Sequence, residues 1–319
     1  MSVLLSLLIL LPLAAKGSID ESTGESPVRV ASLTGPTGLS MARMVCDPPR
    51  INSVPFQFEI AGSVDVLIPK LVTGDIDIGI LPVNVAAKFH ATNPQLLVVG
   101  AVTGLGMLCV VTRNSAITRI EDLSGKKLYV AGQGATPEYV LRTLLKKAGV
   151  DQPLLDFSLS PADIAAALAS GKIDYAVLPE PFTTLALARD TETPRLFRAI
   201  VLSDAWRTAG FARDFPMTVC VIRRQFAQNN PELVRSFLEA YRQSIEWTVN
   251  NPAEAGVCAE RSGLALLAQV AEQAIPYCGY TFIPASDARP IIDSLLSVFL
   301  DYAPSSIGGK LPDGSFYFK

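Results

Sequence analysis

Four short stretches hold small, polar and conformationally free residues: Thr34-Gly35-Pro36-Thr37-Gly38, Pro82-Val83-Asn84, Gly132-Gln133-Gly134-Ala135-Thr136 and Pro179-Glu180-Pro181. Gly35 and Gly38 let the backbone approach a ligand closely, and a helix beginning near Thr37 aims free N–H groups into the space before it. The turn from Gly134 to Thr136 offers the same chemistry, so the two turns together are able to hold an oxyanion without an arginine. Thr34, Thr37, Asn84, Gln133 and Thr136 add short neutral hydrogen-bonding groups. Glu180 is the only charge in the four stretches, and a carboxylate there suits an amine, a ring N–H or a hydroxyl. All these loop residues, Pro36 and Ala135 included, form the expected ligand set, except Pro82, Val83, Gly132, Pro179 and Pro181, which shape the turns. Phe215 joins the set as a ring able to stack on a ligand, although core packing is the safer reading for both Phe215 and Phe182.

The elements that position these loops are written twice. "LVTGDIDIGILP" (71–82) and "LASGKIDYAVLP" (168–179) each read as a helix ending at a glycine, Gly74 or Gly171, then a buried strand ending at a proline. At the same offset upstream, Ser63 and Ser160 stand where helix N-caps belong, the second followed by Pro161 and Asp163 in a capping-box pattern. A strand precedes each helix, "PFQFEIAG" and "LDFSLS", and further back come "VRVASLTGPTGLSMARM" and "KKLYVAGQGATPEYVLRTLLKKAG", each a strand, a loop and a helix. The second of these helices takes Thr136 as its cap and Pro137 as its first residue. That order predicts parallel strands with right-handed crossovers, in two similar α/β lobes. Ligands bind beyond the carboxyl ends of such strands, which is where all four loops fall.

"MLCVVTR" and "FPMTVCVIRR" read as two crossing strands that lead into and out of the second lobe and act as a hinge. A helix capped by Asn230 follows, with Val234, Phe237, Leu238, Tyr241 and Ile245 on one stripe that is expected to pack on the first lobe. The division predicted is a leader at residues 1–26, the first part of lobe 1 at 27–110, lobe 2 at 111–217, and a return to lobe 1 with C-terminal helices at 218–319.

The totals narrow the function. At 319 residues and 49% hydrophobic the chain has material for two cores, and a net charge of −3 without basic clusters supplies no footprint for nucleic acid. The apolar run from Val3 to Ala15 fits an export signal better than a membrane span, although no Lys or Arg precedes it. Five cysteines leave at least one unpaired; Cys109 and Cys220 sit in strand-like runs, while Cys258 and Cys278 are candidates for a bridge. His90, the sole histidine, reads as a surface residue, and neither a metal nor a cofactor is expected. "GQGATPE" lacks the third glycine of a dinucleotide loop. Asp77 and Asp174, mid-strand behind the loops, read as structural. An enzyme on this framework would need Glu180 as its acid or base, and no nucleophile–base pair is visible.

From Val28 to about Asn251 the chain resembles the type II periplasmic solute-binding proteins of ABC importers, in the branch that handles sulfonates, nitrate and the pyrimidine precursor of thiamine. The carriers are "SLTGPTGL", the doubled "G-x-I-D…LP" and "LPEPF". The cysteine cluster of the branch's pyrimidine-synthesising enzymes is absent. The resemblance implies an exported, non-catalytic clamshell that closes on a small polar or heteroaromatic solute and delivers it to an ABC permease in the membrane. A shuttle for one ligand has no need to self-associate, so a monomer is expected.

Overall fold

The computed structural model describes residues 26–150 and 153–319, and the expected leader therefore lies outside the described residues apart from Ser26. Among the described residues no helix is long and apolar enough to cross a membrane.

The chain opens with β1 (Val28–Leu33), α1 (Pro36–Leu39), α2 (Ala42–Cys46), β2 (Arg50–Ile51) and β3 (Val54–Ala61). The first repeat follows as α3 (Val64–Thr73) and β4 (Ile78–Pro82), then α4 (Val83–Thr92) and β5 (Leu97–Leu105). A second sheet takes β6 (Leu108–Thr112), β7 (Lys127–Val130), α5 (Thr136–Lys147) and β8 (Leu154–Asp156). It continues through the second repeat, α6 (Pro161–Ala169) and β9 (Tyr175–Pro179), to α7 (Phe182–Arg189), β10 (Phe197–Val201) and α8 (Leu202–Thr208). The return is β11 (Pro216–Arg223), α9 (Arg224–Asn229), α10 (Pro231–Asn250), α11 (Pro252–Arg261), α12 (Ala268–Ala274), β12 (Tyr280–Pro284) and α13 (Ala285–Tyr302).

The sheets run β12-β5-β11-β4-β1-β3-β2 and β10-β6-β9-β7-β8. Each contains the expected parallel triplet, β3-β1-β4 in one and β8-β7-β9 in the other. The glycines behind the repeats do what left-handed caps do: Gly74 has φ 86° and Gly171 φ 68°. Ser160 Oγ accepts the Asp163 N–H at 3.2 Å, whereas Ser63 holds the cap position without a side-chain bond.

Neither sheet is wholly parallel. β11 lies antiparallel against β4, and β6 antiparallel against β9, so the same position in each triplet is filled by a strand from a crossing segment. The crossing strands are β5 and β11, which pair with each other in the first sheet; the expected crossing strand "MLCVVTR" belongs to the second sheet as β6. The change of sheet falls at Gly106 and Met107, with φ of 65° and 48°, so the expected boundary at 110/111 lies inside β6.

α10 behaves as its stripe requires. Val234, Phe237, Leu238, Tyr241 and Ile245 are buried on one face of the first sheet, in a cluster with Val30, Ile78, Ile80 and Ile222. Phe237 stacks on Phe56 with centroids 5.4 Å apart.

One expectation is corrected here. His90 is not at the surface: it is 4% exposed on α4, edge-on to Phe316 and with Nε2 3.7 Å from Asp313 Oδ1. Its cover is the C-terminal segment, whose position on α4 no local pattern announces. Cys258 has Cys46 as a neighbour, on the packed pair α2 and α11, while Cys278 is buried beside Tyr280 in the apolar cluster that Cys258 also packs against.

Phe237→Ala removes a buried ring and its stack and is expected to cost about 3–5 kcal/mol, read as a lowered urea midpoint. Burial lowers the His90 pKa, with Asp313 opposing. The unfolded chain therefore takes up this proton first, and stability is lost as pH falls below about 6.5. A plot of melting temperature against pH from 7.5 to 5.5 should slope downward toward acid, and His90→Gln should flatten it.

Candidate functional site

The site is built where the carboxyl ends of the two parallel triplets come together. β1 ends in the first loop, and Gly35 there has φ 90°, a conformation that favours glycine. The ring of Phe182, first residue of α7 after the fourth loop, would lie 3.7 Å from a β-carbon at Gly35. Loops from opposite sheets thus touch. A side chain at Gly38 would run into Leu264 and the Leu33 carbonyl, so this glycine serves packing within its own lobe.

Most of the first loop's polar groups are spent internally. Thr37 Oγ1 donates to the Leu33 carbonyl at 2.9 Å and accepts the Leu33 N–H at 3.1 Å. Ser40 Oγ donates to the Thr37 carbonyl at 2.7 Å, so the Tyr241 hydroxyl, 2.6 Å away, is the donor to Ser40. Tyr280 OH donates to the Pro36 carbonyl at 2.7 Å, which ties the loop to β12. Burial pushes the pKa of both tyrosines up, so both hydroxyls keep their protons. Thr34 remains exposed.

In the second loop Asn84 is 7% exposed, and its Oδ1 has no hydrogen-bond partner among the described residues. In the third, Gln133 is exposed and Gly132 and Gly134 have positive φ. The helix cap is Ala135, without a side-chain bond, and Thr136 is the first helical residue, 3% exposed. The free N–H expected to meet a ligand anion is already met: Gly134 N donates to Glu138 Oε2 at 2.7 Å, and Glu138 Oε1 accepts from Arg142 Nε at 2.7 Å. Spacing in sequence hid this, because Glu138 reads as an ordinary first-turn acid.

Glu180 differs most from expectation. It is fully buried, and its charge is not alone. Arg198 on β10 donates to Oε1 from Nε at 2.9 Å and from Nη2 at 2.7 Å, while Oε2 accepts from Thr184 N at 3.0 Å and Thr184 Oγ1 at 2.7 Å. The Glu180 N–H donates to the Met107 carbonyl at 2.9 Å, at the change of sheet. The guanidinium of Arg198 lies 3.8 Å from the centroid of the Tyr277 ring, which comes from the C-terminal part of the chain. Among the described residues Arg198 Nη1 makes no hydrogen bond. Buried thiols surround this pair: burial, with Glu180 adding to it, pushes Cys109 up to about 12 and Cys278 higher still.

Phe215 is a core ring, 1% exposed and edge-on to Trp206 at 5.4 Å; its carbonyl accepts the Gly106 N–H at 2.9 Å. Arg198, Tyr277 and Tyr280 were not singled out by sequence reasoning. Arg198 sits in an edge strand with no motif around it, and the two tyrosines lie in the generic tail, where only "YCGY" marks them.

With this geometry, similarity to known proteins becomes informative. Residues 60–255 match the family described as NMT1/THI5 like. The chain belongs to that family. It is 28% identical over 190 residues to the taurine-binding periplasmic protein of Escherichia coli (strain K12), covering 58% of this chain and 55% of that one. The chain thus spans about half the length of that curated relative. Its fold is that of an ABC transporter protein from Parabacteroides distasonis, with a TM-score of 0.80, 26% identity and coverage of 92% of this chain and 99% of that one. The periplasmic aliphatic sulphonate binding protein SsuA from Escherichia coli has the same fold, with a TM-score of 0.66, 17% identity and coverage of 91% and 93%.

The pair at the centre of the site makes a sharp prediction for the family member. Arg198→Met leaves a buried carboxylate without its counter-charge and should cost about 3–5 kcal/mol in chemical denaturation. Adding Glu180→Gln should recover part of that loss, because the amide carbonyl still accepts from Thr184.

Proposed function

We propose that this protein is the exported solute-binding component of an ABC importer, acting as a monomer that closes two lobes on one small solute and presents it to a membrane permease. The observation that carries the reading is the meeting of loops from opposite sheets: Gly35 faces Phe182, and Arg198 faces Tyr277. A ligand drives closure only if it contacts both lobes, and these groups are placed to give it both. The names of the relatives, a taurine-binding and a sulphonate-binding protein, support the same role.

The chemistry of the solute follows from the charges that remain. Glu180 and Arg198 balance each other, and Glu138 answers the α5 N-terminus, so the site suits an uncharged or zwitterionic solute with a compact polar end. Arg198 Nη1 is the donor left for it, with Phe182 and Tyr277 as the flat walls. Glu180, the group that catalysis would use, has both oxygens engaged.

Native mass spectrometry of protein from its own periplasm should reveal a retained small molecule, and adding that molecule should raise the melting temperature. Phe182→Ala and Tyr277→Ala, one on each side of the mouth, should each weaken binding at least tenfold in calorimetry. Unchanged affinity in both variants would place the solute elsewhere.

A further inference from the structure

We propose that Cys46 and Cys258 form a disulfide that clasps α2 to α11. On α2, Ala42 and Cys46 are one turn apart on one face; on α11, Ala255, Cys258 and Ala259 share a face. Ala42, Ala255 and Ala259 are fully buried together, and Cys258 packs against that cluster. Small residues let the two helices approach closely, and the seam they make brings the cysteines together one turn further along. A disulfide needs α-carbons within about 7 Å and side chains that face each other, and α2 and α11 are in direct contact. Burial first, and then the neighbouring Cys46 thiol, push the Cys258 thiol up to about 12.

Cys109, Cys220 and Cys278 are buried, Cys278 in the same apolar cluster that Cys258 packs against, whereas Cys46 and Cys258 are half-buried. The oxidant is a small-molecule or protein disulfide. One cysteine thiolate attacks it and releases a thiol; the second then attacks the mixed disulfide and releases the other. Two protein thiols lose two electrons and two protons, and one external disulfide becomes two thiols. The bond would join chain segments on either side of the whole second lobe, restricting the unfolded chain severely.

The oxidising surroundings rest on the export reading above, but the bond itself is testable without it. Reduced, purified protein is exposed to oxidised glutathione, denatured, and its free thiols are counted by maleimide mass labelling. Three labelled thiols and a cross-linked peptide containing Cys46 and Cys258 are expected. Five labelled thiols, glutathione adducts without a cross-link, or a Cys258 to Cys278 link would overturn the proposal. Oxidation should raise the melting temperature by about 5 °C or more. Cys46→Ser and Cys258→Ser should each abolish that rise, and Cys278→Ser should not. If the bond forms with glutathione while protein taken from cells carries five free thiols, the export reading fails and the clasp stands.

Discussion

The chain passes between its two sheets at one place. β5 and β11 lie side by side as antiparallel partners, and at their ends the Gly106 N–H bonds the Phe215 carbonyl. Two connections that are hydrogen-bonded to each other resist the independent swivelling that separate linkers would allow. The conformations required at the crossing are demanding: Gly106 and Met107 both have positive φ, and Gly106 is closely faced by Ser203 and Asp214. Thr103 and Thr218, one from each crossing strand, join their hydroxyls at 3.0 Å. Tyr241 borders this pair and reaches Ser40, so a buried polar chain runs from the crossing strands to the first loop. The meeting of Gly35 with Phe182 depends on where this crossing aims the two sheets.

The mouth so formed is electrically quiet. Glu180 is the kind of group that a protein interior tolerates only with a partner and full hydrogen bonding, and it has both. The arginine that answers it also lies against Tyr277, so one guanidinium serves an ion pair within the second lobe and a cation–π contact with the first. The N-terminal turn of α5 is closed to an anion by Glu138.

The C-terminal third holds the first lobe's half of the site in place. Tyr280 fixes the Pro36 carbonyl, and the Gly279 carbonyl accepts the Leu105 N–H just before the crossing. Tyr139 on α5 packs edge-on to Phe299 and stacks on Tyr302, giving a second apolar contact between the lobes at α13. Residues beyond the repeats thus act at the sheet crossing, the first loop and the α5–α13 contact together.

Periodicity and turn chemistry in the sequence alone determined the parallel triplets, the glycine caps behind the repeats, the buried stripe of α10 and the sides of the sheets on which the loops emerge. These are local properties: a helix face or a left-handed turn is decided by residues a few positions apart. Which polar groups stay free was decided only by the tertiary structure. Thr37 turned inward on Leu33, Glu138 reached back to Gly134, and Glu180 met an arginine eighteen positions later on another strand. His90 was covered by a segment more than two hundred residues away, and Cys258 found Cys46 across the same kind of gap. Pairing between distant segments leaves no period in a sequence, and a buried charge reveals its partner only after the chain has brought the two together.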